Sequence, residues 1–164
     1  MARILIADDS EVTRKLLAAT LGTHEGWTVC GEAVNGRNAI LMAHDLKPDL
    51  VVMDLVMPML DGLQAAAEIA KGAPAVPIVI YSLQILPELE IEAKKYGVWA
   101  MVSKSADRNV LIETVERLLA STQPQLPPDT ANLLVEPTPG ASTSVPTTNE
   151  VREKPSSESS TEPE

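Results

Sequence analysis

Five polar side chains stand at or just after the ends of short apolar runs: Asp8, Asp9, Asp54, Ser82 and Lys104. Three carboxylates brought close together repel one another unless a positive charge compensates them. A hard divalent cation such as Mg²⁺, which prefers carboxylate oxygens and water, would do so, and the Lys104 ammonium would add positive charge. A metal, an ammonium and a hydroxyl around a carboxylate that can accept phosphate are the components of a phosphoryl-transfer site.

Each of these residues also has an ordinary structural explanation. Asp8 and Asp9 could simply start a helix, where acidic side chains are favourable. Asp54 could be a turn residue, Ser82 a strand-end hydroxyl and Lys104 a solvated lysine. Their joint placement, each at the end of an apolar run, favours the functional interpretation.

The segments around these residues alternate between strand and helix patterns. Apolar runs predict strands over residues 3–7, 27–34, 50–53, 76–81 and 99–102, and helical spacing predicts helices over 11–22, 37–46, 63–70, 87–96 and after Asp107. Strands that are apolar throughout and alternate with helices indicate a parallel sheet with helices on both faces. We therefore expect an α/β fold with an open, doubly wound, five-stranded sheet, in which ligands bind beyond the carboxyl ends of the strands.

Composition excludes several classes of protein. The chain has 164 residues, with 13 Lys and Arg against 23 Asp and Glu, which gives a net charge of −10. This acidity argues against a nucleic-acid partner. Cys30 is the single cysteine, so a disulfide framework is excluded and a reducing, cytoplasmic location is the simplest assumption. The longest apolar runs are far shorter than the roughly 20 residues that a membrane span needs.

The composition changes near residue 120. Residues 121–164 hold eight of the 13 prolines and no aromatic residue. Such a segment buries too little apolar surface to offset its chain entropy, so we expect a disordered tail rich in Pro, Ser, Thr and Glu. Residues 131–135 (ANLLV) are either a docking motif within it or an ordinary apolar stretch of a linker. The folded domain is predicted to cover residues 1–120.

Four motifs carry a family resemblance: residues 4–10 (ILIADDS), 51–62 (VVMDLVMPMLDG), 78–82 (IVIYS) and 102–104 (VSK). Over about residues 1–120 the sequence resembles the receiver domain of two-component response regulators, in particular the single-domain, chemotaxis-regulator-like type. In that family these motifs are the strands that end in an acidic pair, a phosphoacceptor, a switch hydroxyl and an essential lysine. The resemblance implies a flavodoxin-like sheet with strand order 2-1-3-4-5.

The resemblance also implies a role for each site residue. Asp54 would accept a phosphoryl group from a phosphohistidine of a sensor histidine kinase or a histidine phosphotransfer protein. The pair Asp8–Asp9, together with Asp54 and the backbone carbonyl of Val56, would hold Mg²⁺. Lys104 would pair with the phosphoryl oxygens. Ser82 would bond the phosphoryl group and bias the surface formed by the fourth helix, fifth strand and fifth helix.

The implied function is that of a signal receiver rather than an independent enzyme, since the domain would catalyse only its own aspartyl phosphorylation and dephosphorylation. Its output would be a protein contact with a downstream partner, and a phosphorylation-dependent dimer is a further implication by family analogy. Two alternatives stay open. One is a receiver whose tail is the output element, and the other is a degenerate receiver that acts as a phosphorylation-independent adaptor.

Positions on and next to the predicted fifth strand are among those that depart from the family pattern. Met101 stands where many receivers have an aromatic residue that moves with the switch hydroxyl, and we expect it to fill the core or an interface. Ser105 follows Lys104, where a proline is common, so the loop is not expected to carry a cis peptide.

Overall fold

Five parallel strands form the sheet at the centre of residues 1–122, the part of the chain that the computed structural model describes. They are β1 (Ala2–Ala7), β2 (Trp27–Ala33), β3 (Leu50–Met53), β4 (Ile78–Ser82) and β5 (Ala100–Ser103). The order across the sheet is β2-β1-β3-β4-β5, and every neighbouring pair is parallel. The predicted strand order and doubly wound topology are confirmed.

One helix follows each strand: α1 (Glu11–Gly22), α2 (Gly36–Leu46), α3 (Gly62–Gly72), α4 (Pro87–Lys95) and α5 (Arg108–Thr122). Ser10, Asn35 and Asp61 precede the first three helices, and each side chain accepts a hydrogen bond from the backbone N–H three residues on. Such caps satisfy N–H groups that have no partner within the helix. Pro87 opens α4, where a missing N–H costs nothing.

The helices cover both faces of the sheet. On one face, Leu5 and Ala7 of β1 belong to a buried cluster that includes side chains of α2 and α3. On the other face, Ile4 and Ile6 belong to a second cluster with side chains of α1 and α5. Successive strand side chains point to opposite faces, so strands buried on both sides are apolar throughout, as the sequence indicated.

Several element boundaries differ from the prediction by one or two residues. β4 begins at Ile78 rather than at residue 76, because Pro77 has no N–H to donate to the sheet. β5 begins at Ala100, one residue after Trp99. α5 continues through Thr122, two residues beyond the predicted end of the domain. The predicted tail beyond this helix, including the ANLLV segment, lies outside the described residues.

No helix within residues 1–122 has both the length and the apolar character that crossing a membrane requires.

Candidate functional site

The carboxyl ends of four neighbouring strands carry the five polar residues that the sequence singled out. The Asp54 N–H donates to the carbonyl of Ala7 at 2.8 Å, which holds the end of β3 beside the end of β1. The Lys104 N–H donates to the carbonyl of Ser82 at 2.9 Å, which ties the end of β5 to the end of β4. The structure therefore brings the acidic pair, Asp54, Ser82 and Lys104 to one edge of the sheet.

The Lys104 ammonium bridges two carboxylates. Its Nζ donates to Asp8 Oδ2 and to Asp54 Oδ2, both at 2.7 Å. Asp8 is 1% exposed and Asp54 8%, so these charges lie where water screens them little. Burial by itself lowers the pKa of Lys104, but the hydrogen bonds to Asp54 and Asp8 outweigh it and raise the pKa above its ordinary value of 10.5. Lys104 is therefore cationic at neutral pH.

The carboxylates also form a donor set for a metal ion. One carboxylate oxygen each from Asp8, Asp9 and Asp54 lies within 4.8 Å of the others. Octahedral Mg²⁺ holds its oxygen ligands at about 2.1 Å, so ligands on opposite sides of it are about 4.2 Å apart. The Lys104 ammonium offsets only one of the three negative charges. The spacing, the ligand type and the residual charge all fit Mg²⁺.

One oxygen of Asp54 is held only weakly by the protein. Oδ2 pairs with Lys104, whereas Oδ1 accepts a long 3.4 Å hydrogen bond from the Val56 N–H, well beyond the usual 2.9–3.0 Å. The Val56 side chain is exposed. Asp54 Oδ1 is therefore available for a metal or for an incoming electrophile.

The start of α3 packs directly against the Asp54 backbone. The Gly62 N–H donates to the carbonyl of Leu55 at 2.7 Å. A Cβ atom at Gly62 would collide with the Asp54 carbonyl and with Leu55 Cα. The glycine thus permits an approach of α3 that fixes the position of the backbone carrying the Asp54 carboxylate.

Arg14 of α1 contacts the acidic pair, and sequence reasoning missed it. Its Nη1 donates to the carbonyls of Asp8 at 2.8 Å and of Asp9 at 3.3 Å, and its Nε lies 3.7 Å from Glu32 Oε2. A signal was present in the sequence: Arg14 lies one helical turn after the Ser10 cap, and helical side chains tilt toward the helix N-terminus. A long cation at this position can reach back to the preceding loop.

A cavity of about 210 Å³ lies on the face formed by α4, β5 and α5. Trp99 and Met101 contribute apolar walls, and Glu90, Lys94 and Arg117 contribute charged ones. Met101 is partly buried and packs against the cluster that includes α2 and α3 side chains, which agrees with the expectation that it fills the core or an interface.

Comparison with known proteins gives one consistent family. A family model described as the response regulator receiver domain matches residues 4–116. Protein PilH of Pseudomonas aeruginosa is 37% identical over 73% of this chain and 99% of its own length. Chemotaxis protein CheY of Thermotoga maritima is 35% identical over 71% of this chain and 96% of its own length.

Solved structures agree on the fold. A LuxR-family two-component response regulator from Aurantimonas superposes with a TM-score of 0.71 at 29% identity, over 74% of this chain and 86% of that one. Other relatives are longer proteins: response regulator protein VraR of Staphylococcus epidermidis is 34% identical over 70% of this chain, and the match spans 55% of the relative's length. The chain thus spans about half the length of these relatives.

Proposed function

This chain belongs to the response regulator receiver domain family, and on that premise we propose that Asp54 is the phosphoacceptor of a cytoplasmic two-component phosphorelay. The observation that carries the proposal is the Lys104 ammonium, which bridges Asp54 and Asp8 at 2.7 Å in a buried acidic pocket. The phosphoryl donor would be a phosphohistidine of a sensor histidine kinase or a histidine phosphotransfer protein.

The transfer is a displacement at phosphorus. A carboxylate oxygen of Asp54 forms the new O–P bond while the P–N bond of the phosphohistidine breaks. The imidazole nitrogen keeps the electron pair of that bond and takes up a proton from solvent. Since Asp54 is 8% exposed, the donor has to reach into the pocket, and this favours a phosphohistidine presented by a docked protein.

The residues around Asp54 act by position and charge, which dominate catalysis of phosphoryl transfer. Lys104 leaves Asp54 Oδ2 for the phosphoryl oxygens, because the transferred group brings more negative charge than the carboxylate it modifies. Asp8, Asp9, Asp54 and the Val56 carbonyl would hold Mg²⁺, which when bound offsets charge on the transferring group. Asp8 keeps its own orientation through a 2.8 Å hydrogen bond from the Ser10 N–H to Oδ1.

A structural change at the phosphorylated site would be transmitted to the protein surface through β4 and β5. Ser82 pairs with Ser103, and Ile80 pairs with Met101, in the register of these strands. A Ser82 hydroxyl drawn toward a phosphoryl group on Asp54 would therefore displace the strand that carries Met101. Met101 and Trp99 line the cavity between α4 and α5, and we assign this face to a downstream protein or to a second receiver.

Incubation of the full chain with phosphoramidate and Mg²⁺ tests the proposal, because the P–N bond of this donor stands in for phosphohistidine. We expect intact mass spectrometry to show one added phosphoryl group. Asp54→Asn removes the adduct. Asp45→Asn, which neutralises an exposed carboxylate paired with His44, keeps it.

The adaptor alternative predicts a different result. If the wild-type chain gains no phosphoryl adduct from phosphoramidate and Mg²⁺, although circular dichroism shows that it is folded, phosphoryl acceptance is rejected. That result would favour a phosphorylation-independent adaptor. An adduct that persists in Asp54→Asn would place the phosphoacceptor elsewhere.

A further inference from the structure

We infer that Arg14, oriented by Glu32, is a positioning residue that aims the carboxylates of Asp8 and Asp9 at the Mg²⁺ position; this inference rests on the function proposed above. Arg14 touches neither a carboxylate oxygen of the pocket nor the phosphoacceptor. Its guanidinium donates to two consecutive backbone carbonyls, those of Asp8 and Asp9. It therefore acts through the peptide groups that carry the metal-binding side chains.

The two acidic residues depend on this contact to different extents. Asp8 has further restraints, since the Ser10 N–H donates to its Oδ1 and Lys104 donates to its Oδ2. Asp9 is exposed. Within residues 1–122, its carbonyl accepts a hydrogen bond from Arg14, and this is the only hydrogen bond between Asp9 and another residue that involves a side chain. Loss of Arg14 should therefore loosen Asp9 more than Asp8.

The guanidinium is held in place rather than free in solvent. Its side chain is 12% exposed and lies 3.7 Å from Glu32 on β2. The neighbouring Asp8 N–H donates to the carbonyl of Ala33 at 3.1 Å, so the end of β2 supports both Arg14 and the acidic loop. A planar guanidinium can serve several acceptors at fixed angles, which a lysine ammonium cannot reproduce.

Charge and geometry oppose each other at this position. A cationic side chain near the pocket repels Mg²⁺, whereas correct aim of two carboxylates favours it. Arg14→Lys separates the two effects, because it keeps the positive charge and removes the planar guanidinium group that serves several acceptors. If charge alone mattered, this variant would bind metal as the wild type does.

The experiment is a titration of the full chain with Mn²⁺, in which electron paramagnetic resonance measures the concentration of free Mn²⁺. Competition with Mg²⁺ then gives the affinity for Mg²⁺. We expect Arg14→Lys to weaken metal binding about tenfold, in the range seen when partners that orient metal ligands are removed. Glu32→Gln should weaken it in the same direction. Lys15→Ala, which removes an exposed lysine of the same helix paired with Glu11, should stay within about twofold of the wild type.

A double-mutant cycle tests whether Arg14 affects the metal affinity through Asp9. If Arg14 acts through Asp9, Arg14→Lys should cost less in an Asp9→Asn background than in the wild type. Arg14→Lys with wild-type affinity overturns the inference. Should Arg14→Lys fail to fold, Glu32→Gln decides, and unchanged affinity in that variant overturns the inference as well.

The same measurements distinguish failure of the proposed function from failure of the inference about Arg14. A wild-type chain that binds neither Mn²⁺ nor a phosphoryl group overturns both the function and the role of Arg14. A wild-type chain that binds both, with Arg14→Lys equal to it, overturns only the role of Arg14.

Discussion

At the scale of single residues, the site depends on one ammonium shared by two buried carboxylates. Lys104 is the last of the five site residues in sequence, and it is 96 positions from Asp8 and 50 from Asp54. Without it, the carboxylates of the pocket would face one another uncompensated in a region of low polarity. The pairing also keeps Lys104 charged, because the hydrogen bonds to both carboxylates raise its pKa above 10.5.

Lys104→Met should therefore lower the free energy of unfolding by about 3 kcal/mol in the absence of metal, as expected when one partner of a buried pair is removed. A lysine whose pKa is raised on folding stabilises fully below its unfolded-state pKa and loses this contribution as the pH rises through the folded-state pKa. The difference between wild type and variant should be constant from about pH 7 to 9 and shrink above about pH 10.5. Urea unfolding in EDTA across this range measures it.

Lys71→Met is the control for this measurement, because Lys71 pairs with Glu68 on an exposed surface. We expect a change within about 0.5 kcal/mol at every pH. A difference between wild type and Lys104→Met that has already vanished at pH 8 would show that the ammonium does not support the pocket.

The residues that meet at the site could be predicted where topology alone brings them together. Asp8, Asp54 and Ser82 lie at the ends of adjacent parallel strands, so their convergence follows from the strand order. Arg14 could not be assigned in this way, because its contact depends on the angle at which α1 leaves the loop. That angle is set by packing of the helix rather than by local sequence.

At the scale of elements, the connection between β3 and α3 positions Asp54, the proposed phosphoacceptor. Gly62 lets α3 begin against the Asp54 carbonyl. Gly72, at the other end of the same helix, has open space where a Cβ atom would lie. The two glycines therefore form a matched pair in one helix.

Gly62→Ala should destabilise the protein by about 1–3 kcal/mol, because the new methyl group has to displace the backbone at Asp54 and Leu55. It should also slow phosphorylation by phosphoramidate, since the same displacement moves the Asp54 carboxylate. Gly72→Ala should leave phosphorylation unchanged and raise stability by about 0.5 kcal/mol. Equal stabilities of the two variants in urea unfolding would contradict the proposed contact.

Strand and helix identities followed from periodicity, but their exact limits followed from backbone chemistry. Pro77 removes a donor and delays the start of β4 to Ile78. Long-range contacts were not predictable: His24 stacks on Trp27 with the ring centroids 3.7 Å apart, and it forms a 2.8 Å hydrogen bond with Glu116, 92 positions away. A pattern within one segment contains no information about such a partner.

At the scale of the whole molecule, the sheet separates two hydrophobic clusters, and each depends on helices from distant parts of the chain. The cluster beneath α1 and α5 includes Leu111, Val115, Leu118 and Leu119. Burial of such side chains contributes about 1.5–3 kcal/mol each. The four together are comparable with the 5–15 kcal/mol by which a typical domain is stable.

A chain that ends at Thr122 should therefore fold and accept phosphate, because the buried hydrophobic residues of the described range lie between Ile4 and Leu119. We expect its urea midpoint to match that of the full chain.

A chain that ends at Val110 should not fold, because it lacks the four buried α5 side chains. Circular dichroism in urea measures both. A loss of more than about 1 kcal/mol in the longer truncation, which is about a fifteenth to a fifth of typical domain stability, would assign a stabilising role to residues beyond α5. Retained partner binding in that truncation would place the output on the receiver itself rather than on the remaining segment.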